Sequence, residues 1–243
     1  MGFSLNTSLE QYFKNNLSKE KKERYDPLST WTCPTIFMKG GKLDLKEFFI
    51  EECLETPFTK LDLECLPQLT SLMLERSNLG CLDISECNNL INVNFCENKS
   101  ALRIKINNLA PIEKLNLSNN TLVDLEFLKN INTKNMTFLS LSYTKLTLQD
   151  LSCLREFVNL EVLYLYKSAF YGSLEPLNNM NRLILLSISF TNISSRLEYL
   201  GDNISRLYCR GSDQFNVRNI EKLLKKCSDK KVVDENYAEH LKI

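Results

Sequence analysis

A chain of 243 residues with 43% apolar and 25% charged side chains is long enough for one elongated ordered domain and too apolar to stay disordered. Thirty basic residues cancel thirty acidic ones, which removes the electrostatic footprint expected of a nucleic-acid or acidic-membrane binder. Nine cysteines, without a Cys-x-x-Cys pair, are spread along the chain, so they read as reduced thiols and not as a disulfide framework or a zinc site.

The amino terminus, Met1 to Thr7, has no basic start and no apolar stretch of signal-peptide length, and nowhere do eighteen apolar residues run together. Asn6 stands where a myristoylation signal wants Ser or Thr. The expected setting is therefore the cytoplasm, or the nucleus, with no membrane contact. On that expectation the Asn-x-Ser triplets at Asn16, Asn116, Asn192 and Asn203 are idle, and the one at Asn98 should point inward where no glycan fits.

Ser8 to about Arg24 predicts a helix: Ser8 and Gln11 have capping-box spacing, and Leu9, Tyr12, Phe13 and Leu17 share one face. Its expected role is to cap an open end, and its mixed-sign end, Lys19 to Arg24, is a solvated surface and not a basic arm. From Pro27 to Gly41, around Trp31, Cys33 and Pro34, neither helical nor strand periodicity holds. Leu43-Leu45 and then Phe58, Leu61, Leu63 and Leu66 open a regular frame.

That frame is one repeated spelling: leucine, two residues, leucine, one residue, leucine, two residues, a small polar residue. It runs Leu69, Leu72, Leu74 and Ser77, then Leu90, Val93, Phe95 and Asn98, and on to Ile204, Leu207, Cys209 and Ser212. The first strand markers Leu72, Val93, Leu115, Leu139, Leu163, Leu186 and Leu207 are 21, 22, 24, 24, 23 and 21 residues apart. In the early units a second copy lies halfway, at Leu82-Ile84 and Leu102-Ile104, which predicts short extended segments on two sides of each turn. Later units loosen that half into Leu146-Leu148-Leu151-Leu154, Leu174-Leu177-Met180 and Leu197-Leu200, spacings that suit a helical turn. Asn216 to Cys227 predicts a closing helix with Val217, Ile220, Leu224 and Cys227 on one stripe, and the polar tail beyond it, with the lone His240, is expected to be loosely ordered.

Alternate strand side chains face opposite ways, so each Leu-x-Leu pair drives two side chains inward while the residues between face outward. A single turn exposes too much of this apolar edge to hold itself together; stacking buries both of its faces and pairs its strand with neighbours. The small polar position, filled by Ser77, Cys87, Asn98, Asn107, Asn120, Thr144, Ser168, Thr191 and Ser212, should turn inward and satisfy backbone groups at the bend.

The spelling resembles the leucine-rich-repeat class, and its nested form, with Leu69 to Ile84 as one full unit and Asp83 in place, resembles the nested subclass. More narrowly, Gly41-Lys42-Leu43-Asp44-Leu45 before Phe48, Gly172 to Leu177, and Leu197 to Leu200 before Leu207-Tyr208-Cys209 resemble the expanded leucine-rich-repeat proteins of arbuscular mycorrhizal fungi. The resemblance implies an α/β solenoid: a horseshoe with a parallel concave sheet, a convex side low in helix, and helical end caps. The expected divisions are a cap and irregular segment at 1–41, the solenoid at 42–215, and a cap helix with tail at 216–243. Relatives of this kind are joined to kinase-like domains or stand alone as protein-contact surfaces. This chain has no glycine-rich loop, Val-Ala-x-Lys strand, His-Arg-Asp loop or Asp-Phe-Gly, so kinase activity does not carry over.

On the outward positions of the main strands the first half is polar and Asn-rich, whereas the second collects Phe138, Tyr143, Tyr164, Tyr166, Leu185, Phe190 and Tyr208 with Arg206 and Arg210. Aromatic and arginine side chains anchor protein interfaces, so these nine residues are the candidate site for a protein or peptide partner. Aromatics also favour strands and pack across them, which is the competing explanation.

The reading is thus a non-enzymatic interaction module, of signalling-adaptor type, with no cofactor. An F-box-type substrate reader would need a Leu-Pro-x-Glu-like opening in a helical box, and residues 1–41 offer one predicted helix and no such opening. A cysteine enzyme would pair Cys33 or Cys96 with His240, but no third group orients that histidine.

Overall fold

The computed structural model describes residues 2–4, 38–39, 42–44, 60–62, 70–75, 80–98, 101–195, 197–209 and 231–232. The two expected helices, 8–24 and 216–227, lie outside the described residues.

The spacing of the leucines sets the sheet register. Leu43, Leu72, Val93, Leu115, Leu139, Leu163, Leu186 and Leu207 are partners of one another along a single parallel ladder. Its strands are Lys42–Asp44, Ser71–Glu75, Asn92–Cys96, Lys114–Asn116, Phe138–Ser140, Val162–Tyr164, Leu185–Ser187 and Arg206–Tyr208. A slip of one residue would turn every one of these apolar side chains outward. From Leu72 to Leu207 the ladder residues are at most 4% exposed.

Two further strands join this sheet. Met38–Lys39 lies antiparallel to Lys42–Asp44, with Lys39 in register with Lys42. Lys231–Val232 adds parallel to Arg206–Tyr208, with Val232 in register with Leu207. These two residues belong to the tail expected to be loosely ordered, and the rest of that tail lies outside the described residues.

The nested spelling has its counterpart on the opposite side of the early turns. Gly2–Ser4, Lys60–Asp62, Cys81–Asp83, Ala101–Lys105 and Thr121–Leu122 form a second parallel sheet in that order. Leu82 and Leu102 face the core from it. From Glu126 onward the second sheet gives way to short 3-10 turns at Glu126–Asn130, Leu151–Leu154, Glu175–Leu177 and Leu197–Tyr199, with a separate parallel pair of strands, Tyr171–Ser173 and Asn192–Ser195. Three of these turns begin beside a local cap: Asp124 accepts from the Glu126 N–H at 3.0 Å, Asp150 from Ser152 at 2.8 Å and Ser173 Oγ from Glu175 at 3.0 Å. Leu128, Leu151, Leu154, Leu174 and Leu177 then point into one continuous core with the ladder residues, closed at its widest by Phe95, Phe157 and Phe170.

The small polar residues turn inward as their spacing predicts. Asn120 donates to the Phe95 carbonyl at 2.7 Å and the Leu117 carbonyl at 2.8 Å, and accepts from the Asn98 N–H at 2.9 Å. Thr144 and Thr191 donate to the carbonyls of Leu141 and Ile188, each at 2.6 Å, and Ser168 to that of Leu165. Asn98 is 1% exposed, so its triplet offers no acceptor for a glycan.

Candidate interaction surface

The outward strand positions divide along the sheet. In the early turns Asn116 donates to Asn94 at 3.0 Å, and its oxygen accepts from the Ser118 N–H at 3.0 Å and the Ser118 hydroxyl at 2.6 Å. The Ser118 and Ser140 hydroxyls meet at 2.6 Å. Polar side chains here bond to one another in the plane of the sheet.

The aromatic residues of the later turns fall into two groups. Tyr164, Leu185 and Tyr208 form a cluster of their own on the concave side, at 6–7% exposed, with Phe138, Val162 and Tyr166 half-buried against it. Phe138 meets Tyr164 edge-on at 5.8 Å. Tyr164 and Tyr208 are both in register with Ser187, so a small side chain stands between two large ones and the tyrosines close over it. Ser187 Oγ is buried, and among the described residues no partner reaches it. Burial pushes the Tyr164 phenol above its usual value, the nearby Tyr208 adds to this, and Arg206 works against it. Tyr164, Leu185 and Tyr208 are therefore packed anchors within the sheet surface, unlike the open row that the alternation of the strand suggests.

The second group is open. Tyr143 and Phe190 are 37% and 44% exposed. Tyr166 stands between them, 5.0 Å from the Tyr143 ring and 5.4 Å from the Phe190 ring. Burial, followed by a hydrogen-bond contact with the Tyr166 phenol, raises the pKa of Tyr143, which keeps its own phenol neutral. Over them sits a residue that the alternation did not single out: Lys167 Nζ lies 5.4 Å from the centroids of Tyr143, Tyr166 and Phe190 alike. Arg206 is exposed at the first position of its strand, and Arg210 lies outside the described residues.

Backbone geometry explains how these side chains gather. The residue just before each inward polar residue is left-handed: Glu97 at φ 60°, Asn119 at 57°, Tyr143 at 55°, Lys167 at 49° and Phe190 at 57°. Four of these N–H groups donate to the next turn, Glu97 to the Ser118 carbonyl at 3.1 Å, Asn119 to Ser142 at 2.8 Å, Tyr143 to Tyr166 at 2.7 Å and Lys167 to Ser189 at 3.0 Å. The ladder thus imposes the conformation whatever the side chain. Asparagine accepts it readily, while tyrosine, lysine and phenylalanine do so at a cost of about 1–2 kcal/mol each. Their common backbone position sends Tyr143, Lys167 and Phe190 to one edge of the concave sheet.

Among the described residues no group of three His, Cys, Asp or Glu side chains could hold a metal, and no helix is long and apolar enough to cross a membrane. Cys81, Cys87, Cys96, Cys153 and Cys209 are thiols outside any disulfide. Cys96 is buried, and burial together with the charge of Asp150 pushes the Cys153 thiol up to about 11, so it stays protonated. Cys33 and His240 lie outside the described residues.

No protein-family model matches the chain, and no curated protein matches it. Among solved structures it is similar to an internalin (inlF) from Listeria monocytogenes, at 17% identity and a TM-score of 0.52. The similarity covers 73% of this chain and 55% of that one, so the match spans little more than half of the internalin's length. The fold is a leucine-rich-repeat solenoid with a long parallel sheet and few helices.

Proposed function

We propose that the chain is a non-enzymatic interaction module that holds a protein or peptide on the concave face of its later turns, working as a signalling adaptor in the cytoplasm or nucleus. The observation that carries this reading is the exposed edge formed by Tyr143, Tyr166 and Phe190 beneath Lys167, beside a packed floor of Tyr164, Leu185 and Tyr208. Rings already held in place by their neighbours lose little side-chain entropy when a partner covers them, which is what a binding anchor needs. The two-sided strands of the early turns support a place in the nested leucine-rich-repeat class, and the stretches around Leu43, Leu174 and Leu197 are the basis for a fungal relationship.

The test is a photo-crosslinking residue placed at Phe190 on the concave edge and, separately, at Ser152 in a convex 3-10 turn. Exposed to extract, the Phe190 derivative should form a discrete crosslinked band that the Ser152 derivative does not. Equal labelling from both positions, or a band from the convex position alone, overturns the assignment of the face.

A further inference from the structure

At the outward positions from Lys114 to Tyr208 the charges are of one sign, unlike the earlier turns, where Glu97 stands in the left-handed column. From Lys114 to Tyr208, the outward strand positions and the left-handed column carry Lys114, Lys167 and Arg206 and no carboxylate. None of the three cations has an ion-pair partner among the described residues, although the chain as a whole balances thirty basic with thirty acidic side chains. The carboxylates of the same turns that do pair or cap, such as Glu126, Asp150 and Glu175, belong to the convex 3-10 side. On the opposite side carboxylates are matched by Lys129 and Arg155, whereas the outward positions from Lys114 to Tyr208 are left positive.

Lys167 is the centre of that field. Three rings hold its ammonium by their faces, which fixes its position while their π-clouds leave its strong N–H donors available for an anion. Tyr143, Lys167 and Phe190 occupy the left-handed position that the ladder imposes on each of these turns, and this backbone carries the Tyr143 and Phe190 rings, 37% and 44% exposed, to the open edge beside the ammonium.

We propose that this edge takes an extended acidic–apolar peptide segment, with one carboxylate on the Lys167 ammonium and neighbouring apolar side chains against Tyr143 and Phe190. This rests on the concave-face reading above and narrows its partner. Lys114 and Arg206 begin strands four spacings apart, roughly 19 Å at about 4.8 Å per spacing, so the cations are too thinly spread to follow a nucleic-acid backbone but suit carboxylates several residues apart on a peptide.

The probes are fluorescein-labelled peptides of sequence Glu-Leu-Glu-Phe-Glu-Leu-Glu, the same with every Glu replaced by Gln, and the same with every Glu replaced by Lys, followed by anisotropy. The acidic peptide should bind about tenfold or more tightly than the Gln peptide, and the difference should shrink between low and high salt. Lys167→Glu should remove that preference. The double variant Tyr143→Asn, Phe190→Asn should weaken binding by about tenfold or more while its melting temperature stays the same or rises, since asparagine relieves the left-handed strain.

Equal binding of the Glu and Gln peptides, no effect of Lys167→Glu, or a single-stranded oligonucleotide that competes as well as the acidic peptide would each overturn the proposal. So would a fall of more than about 3 °C in the double variant, because the rings would then be packing elements first. If the Phe190 crosslink forms but is indifferent to Lys167→Glu, the concave-face reading stands and the acidic partner falls. If neither crosslink nor peptide binding occurs, both fall.

Discussion

The turns up to Leu122 and those from Phe138 onward share one leucine spine but are fastened differently. In the first region asparagines lace one turn to the next: Asn120 bonds across to the Phe95 carbonyl and the Asn98 N–H, Asn116 to Asn94, and Asn107 to Asn88. In the second region the inward Thr144, Ser168 and Thr191 reach carbonyls of their own turn, and asparagine links between turns are left to exposed positions, Asn159 to the Lys134 carbonyl at 2.8 Å and Asn203 to that of Asn181; on the outward side the Ser142 hydroxyl accepts from the Tyr166 N–H and rings meet ring against ring, Phe138 with Tyr164 and Tyr143 with Tyr166 with Phe190. The opposite side changes at the same place, from one five-stranded sheet to 3-10 turns and a two-stranded pair. What the contrast teaches is that polar lacing uses up its own hydrogen-bonding capacity. Ring packing leaves apolar area and a lysine facing out, and so a surface with something to offer a partner.

The largest expected effect tests the lacing directly. Asn120→Ala removes three bonds and strands buried backbone groups on two turns, so it should cost about 3 kcal/mol, whereas Thr144→Val, which loses one bond within its turn, should cost about 1 kcal/mol. Urea unfolding of the two variants measures the ratio; equal losses would erase the distinction between the regions.

A smaller effect sharpens the contrast from the left-handed column. Asn119→Tyr places in the first region the residue type that the second tolerates, and should lower stability by about 1 kcal/mol, or about 2–4 °C in melting temperature. A neutral result would mean that the column carries no strain.

The smallest effect is in pH. Burial would raise the Asp83 carboxyl, but the Ser85 hydroxyl at 2.6 Å and Lys105 at 3.1 Å together hold it below its usual value. In the later region the Ser152 N–H, followed by its hydroxyl, lowers Asp150. A carboxyl depressed in the folded state stabilises the fold above the unfolded value near 4 and loses that contribution as pH falls through the folded value. Both regions should therefore lose stability below about pH 4, and Asp83→Asn or Asp150→Asn should each flatten part of that slope in acid titrations followed by circular dichroism. A variant as acid-sensitive as the parent would discount the corresponding cap or pair.

Much of this architecture is legible in the spacing alone because a strand has a period of two and a stacked turn a period near 22. Those two numbers place Leu72, Val93 and Leu115 opposite one another without further information. The halfway spelling at Leu82 and Leu102 likewise foretells the second sheet, and the looser Leu151-Leu154 spacing its replacement by 3-10 turns. The collection of aromatic residues on the later strands is legible too, but its division is not. Whether Tyr164 and Tyr208 stand open or close over Ser187 depends on the size of the residue between them across the sheet, a relation between turns that no single turn contains. Lys167 escapes because a single lysine lacks the aromatic character that marks Tyr143 and Phe190 at the same place in their turns, and none of the three is a residue that announces a left-handed backbone. The signal was the neighbouring column: Asn119, an ordinary left-handed residue, occupies the same place ahead of Asn120 that Lys167 occupies ahead of Ser168.

Because Thr144, Ser168 and Thr191 close on carbonyls of their own turns, the inward polar position of each later turn asks nothing of its neighbour. Duplicating or deleting one turn in the gene would leave no unmatched partner at that buried position, and what remains between turns, such as the Asn159 and Asn203 bonds, lies at exposed sites where water can take over. Asn98 and Asn120 allow no such freedom, since each turn specifies what its neighbour must carry. Growth and diversification of the array should therefore run through its second half, where a change in the number of turns also changes the length of the face presented to a partner.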